Sequence, residues 1–447
     1  EKNASEYLPR VKYYMGFAYR RKQDIENAIL WYKKAREDFR RNSDDKFLGA
    51  RISNDLGYAH SQVGEWEECL DNLKEGQRVR QSLVDQFEKE VQDLKKTLKE
   101  PGDKASRGIL KNALRRAEVN LSKARFQLGI SFNTLGEIHR FRDDTPASLR
   151  NYTYAIKLFK EEGQHNWHVR ALFSRSETHR RSGWKMYREG NEGEFLRENT
   201  LAENDCFESL FLCRKYRVRD ERDTANRRMG RILHDQALYA LEHEGDFQKA
   251  RELLDSAGDY FDTGLWYAKD THDILEELSN LTELAFIYDD YLRLPRGKKA
   301  AQKYKSALNE LKLLLDRHRN KPNHIYQFAV FDNIYEMEKA AVEYQEGKYD
   351  AALKGYLRAY SALAADPGYG RVKYRSLFSH LTAQIEDLPE KEAIAWCEAF
   401  KRQWEEEPIV IRGRKTTLAK EDRIFPDMVQ WCWEYLRGID HKNSLCE

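Results

Sequence analysis

Several residue groupings in this chain have the makings of chemistry, and they differ in how far they carry. Arg228 and His234 stand six apart in Arg228-Met-Gly-Arg-Ile-Leu-His234. A guanidinium and an imidazole at that spacing could stabilise and protonate a phosphodiester under attack. In a chain with 77 lysines and arginines, such a spacing arises readily without purpose. His60, His139 and His179 fall at equivalent places in successive segments, as a metal or acid–base cluster would require if the segments converged. The same place also suits a ring packed between helices, with histidine as a polar spacer. No Cys/His grouping has zinc-ligand spacing. Gly413-Arg-Lys-Thr-Thr ends like a phosphate-binding loop, but Pro408 stands where the first glycine belongs, so the cradle is missing. No G-x-S-x-G or H-E-x-x-H occurs, and acidic residues are too widespread to single out a carboxylate pair. Neither catalytic site, cofactor nor metal is expected.

The chemistry that remains is recognition. Tyr13, Phe17, Arg20 and Arg21, then Asn54 and Tyr58, then Asn133, Glu137 and Arg140, then Phe173, Glu177, Arg180 and Arg181 recur at one phase of successive helices. Guanidinium forks bind carboxylates bidentately and stack on rings, which suits a protein or peptide of acidic or mixed character. The competing explanation is a solvated charged face, ordinary where 34% of residues are charged. Nucleic-acid binding through the same arginines is the alternative, and steep salt dependence would mark it.

A repeat must bring those positions together. Gly64–Gly76, Gly245–Ala257 and Gly347–Ala359 share one pattern: a turn residue, a small residue five places on, a large one, then a small one. The respective trios are Cys69-Leu73-Gly76, Ala250-Leu254-Ala257 and Ala352-Tyr356-Ala359. The same frame starts at Gln23 (Ala28, Tyr32, Ala35), Asp143 (Ser148, Tyr152, Ala155) and Arg197 (Ala202, Cys206, Ser209). It recurs at Pro295 (Ala300, Tyr304, Ala307) and Leu388 (Ala393, Cys397, Phe400). Small–large–small at i, i+4, i+7 sets one helix face close against another. Upstream, Met15-Gly16, Leu56-Gly57 and Leu135-Gly136 each precede a ring three residues after the glycine. Glycine inside a helix costs about 1 kcal/mol against alanine, so its recurrence at one phase predicts a backbone contact.

This pairing resembles the tetratricopeptide repeat, with L-G-x-x-Y in the first helix and A-x-x-x-F-x-x-A in the second. The resemblance runs from about Val11 to Phe400. It implies an all-α, right-handed superhelical solenoid of about eight helical hairpins, with first helices lining a concave groove. The block starts lie 41 to 79 residues apart, against about 34 in the standard repeat, and the motif's closing proline is mostly missing. Such long periods resemble arrays in bacterial regulators and sensor regions of signal-transduction NTPases, which implies an NTPase or effector domain in cis, outside this chain. The Arg228/His234 spacing is similar to that of HEPN ribonucleases, although those are compact bundles. The carboxylate clamp of some chaperone-binding arrays does not carry over, since Asn54 and Asn133 do not fit its pattern.

The widest gap between blocks holds an apolar stripe, Leu83, Phe87, Val91, Leu94 and Leu98. After Pro101 comes Leu110, Leu114, Ala117, Leu121, Ala124 and Leu128. The second stripe has heptad spacing, and the two together predict an elongated antiparallel hairpin over 77–128. The expected organisation is N-terminal repeats over 1–163, C-terminal repeats over 164–400, and a cap over 401–447. In the cap, Ile409–Thr417 is expected as a loop and Phe425–Arg437, with Met428, Trp431, Cys432, Trp433, Tyr435 and Leu436, as a closing helix. The near-balance of 77 basic and 75 acidic residues gives no bulk pull toward nucleic acid or membrane. Six scattered cysteines without a CxxC pair read as reduced thiols of a cytosolic protein. No 18-residue apolar stretch is present, so no membrane span is expected. A chain starting at Glu1 without Met is expected to be trimmed from something longer.

Overall fold

Several repeat frames open with a tight turn, a capping residue or both, whereas the frame at Arg197 begins inside a helix that Asn191 caps. Gly64, Asp143 and Gly245 take positive φ, a conformation that glycine adopts without steric cost. The carboxylates of Asp24, Asp144 and Asp246 then accept hydrogen bonds from the first backbone N–H groups of the following helices. Asp45 and Asn191 cap in the same way.

The computed structural model describes residues 2–22, 24–100, 104–295, 298–318, 331–340 apart from 333, isolated positions between 343 and 359, 389–406, 408–411 and 414–417. The helices are α1 (Lys2–Arg21), α2 (Ile25–Asn42), α3 (Lys46–Gln62), α4 (Trp66–Thr97), α5 (Lys104–Phe141) and α6 (Thr145–Glu161). They continue as α7 (His165–Arg188), α8 (Glu192–Lys215), α9 (Arg222–Tyr239), α10 (Phe247–Thr271), α11 (Ile274–Arg293), α12 (Lys298–His318) and α13 (Glu390–Glu406). A π-turn, Ala240–Glu244, leads into Gly245. The protein is an all-α array of helical hairpins.

Two compact units divide the chain, Glu1–Glu276 and Glu277–Glu447. The expected boundary at 163 falls inside the first, where α6 and α7 pack together. Within that unit helices pair in sequence order from α1 to α10. The more extensive second-neighbour contacts all join odd-numbered helices: α1 with α3, α3 with α5, α5 with α7, α7 with α9. The odd helices therefore crowd along one face, and the even helices stand behind them.

The small–large–small frames form the core between the rows. Ala28, Tyr32 and Ala35 are fully buried, as are Ala202, Cys206 and Ser209. The recurring glycines make the contact their spacing predicts. A Cβ on Gly16 would meet the Tyr32 ring at 2.7 Å, one on Gly136 the Tyr152 ring at 3.0 Å, and one on Gly57 the Cys69 carbonyl at 2.8 Å. Gly230 differs in meeting Phe261, two helical turns beyond the frame's large residue Leu254.

Helices α4 and α5 run 32 and 38 residues, or about 50 Å each at 1.5 Å per residue. Leu83, Val84 and Val91 pack against Ala117, Leu121, Ala124 and Leu128. In the second unit, Ala352, Ala359, Ala393 and Cys397 of the later frames are buried. There the expected loop is instead a β-hairpin: β1 (Pro408–Ile411) pairs antiparallel with β2 (Arg414–Thr417), with Val410 opposite Lys415. The β-branched residues that suggested strand propensity there suffice for a two-stranded ladder once the two segments pair. The closing helix expected over Phe425–Arg437 lies outside the described residues.

Candidate functional site

The odd helices bring the candidate recognition residues onto one face in two adjoining groups. In the first, the Arg20 guanidinium lies 5.4 Å from the ring centres of both Phe17 and Tyr58, and Arg21 lies 5.4 Å from Phe17. Tyr58 is pushed up to about 12, first by the negative charge of Glu137 and then by burial. That coupling joins α3 to α5 and leads into the second group.

The second group centres on Glu177, 2% exposed. Arg180 donates to both its oxygens, from Nε at 3.0 Å and Nη2 at 3.2 Å. Arg181 Nε donates to Oε1 at 3.2 Å, and Arg228 Nη1 lies 2.8 Å from Oε2. Burial alone would raise this carboxyl, but the surrounding arginines, Arg180 foremost, hold it well below the usual range. Arg180 also bonds Asp235 at 2.7 Å. Arg140 is held by charge from Tyr152, Glu177 and Glu137 against the cost of its burial. Among the described residues, five arginines (140, 180, 181, 227, 228) face four carboxylates (137, 177, 235, 276), and Arg231 adds to the positive field on Glu177. Burial and neighbouring cations lower both Arg181 and Arg228 to about 10, which Glu177 only partly offsets. A buried cluster with more cations than anions favours an added anion.

Four expected residues sit deeper. Tyr13 is 1% exposed and donates to Asp55 at 2.6 Å. Phe173 is in the apolar cluster with Val169 and Leu172. Asn54 accepts from Arg80 at 3.4 Å, with Arg80 reaching in from α4, and Asn133 is 7% exposed. These four support the face from beneath.

The three equivalent histidines do not converge. His60 pairs with Glu65, His139 with Asp144 at 3.1 Å and His179 with Glu198 at 2.9 Å, each within its own hairpin. No group of three or more His, Cys, Asp or Glu among the described residues is placed to hold a metal. No described helix is long and apolar enough to cross a membrane. Arg228, singled out in the sequence for its spacing to His234, serves the ion network through Glu177. Asp235 and Arg231 of α9 went unnoticed, although recognising α9 as the first helix before the Gly245 frame places them on the odd row.

No family model matches the chain, and no curated protein matches it. Solved structures do. A monomeric mutant of IFIT1 with Gppp-AAAA is 12% identical, covering 97% of this chain and 90% of that one, with a TM-score of 0.37. A circular tandem repeat protein of novel topology is 12% identical over 97% and 96%, with a TM-score of 0.32. Yeast Tom70 is 13% identical over 90% and 92%, with a TM-score of 0.21. Likeness at this level adds nothing about a ligand, and the architecture stands on the chain's own helices.

Proposed function

We propose that this helical array is a non-enzymatic scaffold or sensor region that binds an acidic segment of a protein partner along the odd-helix face. The observation that carries the proposal is the cation excess around Glu177, continuous through Glu137 and Tyr58 with the Arg20–Phe17 group. Arginines beside rings hold extended acidic chains by paired hydrogen bonds and stacking. The chain would form the recognition part of a larger cytoplasmic regulatory or defence protein, of the long-period tetratricopeptide-like kind, with an NTPase or effector domain in cis.

Arg20 and Arg21 suit a test best. Arg21 is exposed and Arg20 half-buried, whereas Arg180 lies between two buried carboxylates and reversing its charge would endanger the fold. Anisotropy of a labelled Glu-rich peptide should show binding to the intact chain and at least a tenfold loss in the Arg20→Glu/Arg21→Glu double variant, about 1.4 kcal/mol or more. Equal binding by both proteins would remove this face as the site. Tighter binding of a generic oligonucleotide, with a steep salt slope, would favour nucleic acid instead.

A further inference from the structure

Resting on that reading, we propose that Arg140, Arg181 and Arg228 form a subsite for one phosphate monoester dianion, carried on a phosphorylated segment of the protein partner. Three successive odd helices, α5, α7 and α9, each contribute at least one guanidinium to the surroundings of Glu177.

Acceptors run short there. A carboxylate offers about four lone-pair sites, and Glu177 already receives two contacts from Arg180, one from Arg181 and one from Arg228. Each guanidinium carries five N–H donors, and the Nε atoms of Arg140 and Arg228 are buried without a hydrogen-bond partner. A further carboxylate would bring one charge and two oxygens. A phosphate monoester brings nearly two charges and three strong acceptor oxygens, which suits three forks sharing one acid. Arg180, fixed between Glu177 and Asp235, is a positioning residue that holds Glu177, while the Arg181 and Arg228 side chains keep partial exposure.

The flanking charges choose the carrier. Nucleic acid places a phosphate at every residue, so the next ones along the face would meet Glu137, whose charge already reaches Tyr58, and Asp55 beside Tyr13. A peptide with one isolated phosphate avoids that repulsion and can lay neighbouring side chains against Phe17 and Tyr58. Phosphopeptide therefore fits better than RNA or DNA.

The test uses the full chain at constant ionic strength, with inorganic phosphate, a short Glu/Gly peptide containing serine, its phosphoserine form, and a 5′-phosphorylated oligoribonucleotide as probes. Phosphate should raise the melting temperature above that in chloride. The phosphoserine peptide should bind about tenfold more tightly than the serine form, the effect of one or two charge-assisted hydrogen bonds. Arg181→Gln and Arg228→Gln should each abolish most of that preference, weakening the phosphoserine peptide several-fold more than the serine form. Arg181→Lys, which keeps the charge but loses the fork, should fall between, and it preserves the test if Arg228→Gln does not fold. A phosphopeptide no tighter than its serine form overturns the subsite but leaves the acidic-segment reading standing. So does phosphate stabilisation that is equal in the intact chain and both Gln variants. An oligoribonucleotide that binds more tightly than the phosphopeptide overturns the peptide as carrier.

Discussion

Helix α5 takes part in two regions built on opposite principles. Over its first two-thirds it lies along α4 through an apolar seam, Leu121, Ala124 and Leu128 against Leu83, Val84 and Val91. The charges there sit on the margins, as in Lys95–Glu118 at 3.0 Å, both about half exposed. Over its last turns the same helix presents Glu137 and Arg140 to α7, where the charges are inside. Apolar burial is non-directional and needs only the right spacing. The charged face needs every member in place, because removing one partner leaves an uncompensated charge in a low-dielectric setting. Replacing buried ion pairs by apolar residues of similar volume is often neutral or stabilising. A network kept at that cost points to use of its charges rather than to a need for stability.

The sharpest way to break this comparison is Glu177→Gln. It leaves the shape and removes the anion that Arg180, Arg181 and Arg228 share. Urea denaturation should report a loss of about 3–5 kcal/mol, partly restored by added sulfate or phosphate. A loss below about 1 kcal/mol would mean the arginines are solvated, and the contrast with the seam would disappear.

Next in size is Gly57→Ala. The new methyl would sit 2.8 Å from the backbone carbonyl of Cys69 and 2.8 Å from Leu73. A backbone atom cannot rotate away, so the helices must part, at a cost of about 1–3 kcal/mol. Chemical denaturation measures it, and a neutral result would show that hairpin spacing is softer than the glycine phase implies.

These two sites differ in how visible they were in the sequence. The glycine contacts and the α4–α5 seam follow from spacing alone, since small–large–small frames and heptads each admit one packing face. The charged face was visible only in part. Helix phase places Tyr13 and Phe173 alongside Phe17 and Glu177, yet the first bonds inward to Asp55 and the second joins an apolar cluster. Burial there is decided by neighbouring helices one residue's rotation away, and a single helix's periodicity does not resolve that. Arg80 shows the same limit: it reaches from an even helix to Ser131 and Asn54, a contact that only the tertiary arrangement defines. The β-hairpin at 408–417 had the propensity, but not the pairing partner, in view.

Asp223 sharpens the electrostatic half of the comparison. This carboxyl, 2% exposed in the first turn of α9, is raised to about 7 by burial and by the charges of Glu276 and Asp273, although the Thr224 N–H donates to it. Its folded pKa exceeds its ordinary value near 4, so the folded state holds the proton more tightly. The unfavourable contribution is therefore full above pH 7 and fades as pH falls toward 4. Asp223→Asn should stabilise the protein by on the order of 1–2 kcal/mol at pH 8, with the gain shrinking through pH 7–4. Melting curves across that range test it, and a gain that grows on acidification would reverse the sign and refute the assignment.

The smallest effect lies in the seam region and runs opposite to Gly57. Gly108, in the first turns of α5, has nothing within 4 Å of where a Cβ would stand. Gly108→Ala therefore adds no clash and removes conformational freedom from the unfolded chain, which should stabilise by about 0.5–1 kcal/mol. The same substitution would then carry opposite signs at two helix-interior glycines, set by whether a neighbouring backbone or open solvent faces the missing methyl. Measured by the same denaturation assay, a loss at Gly108 would show that something other than solvent faces the missing methyl.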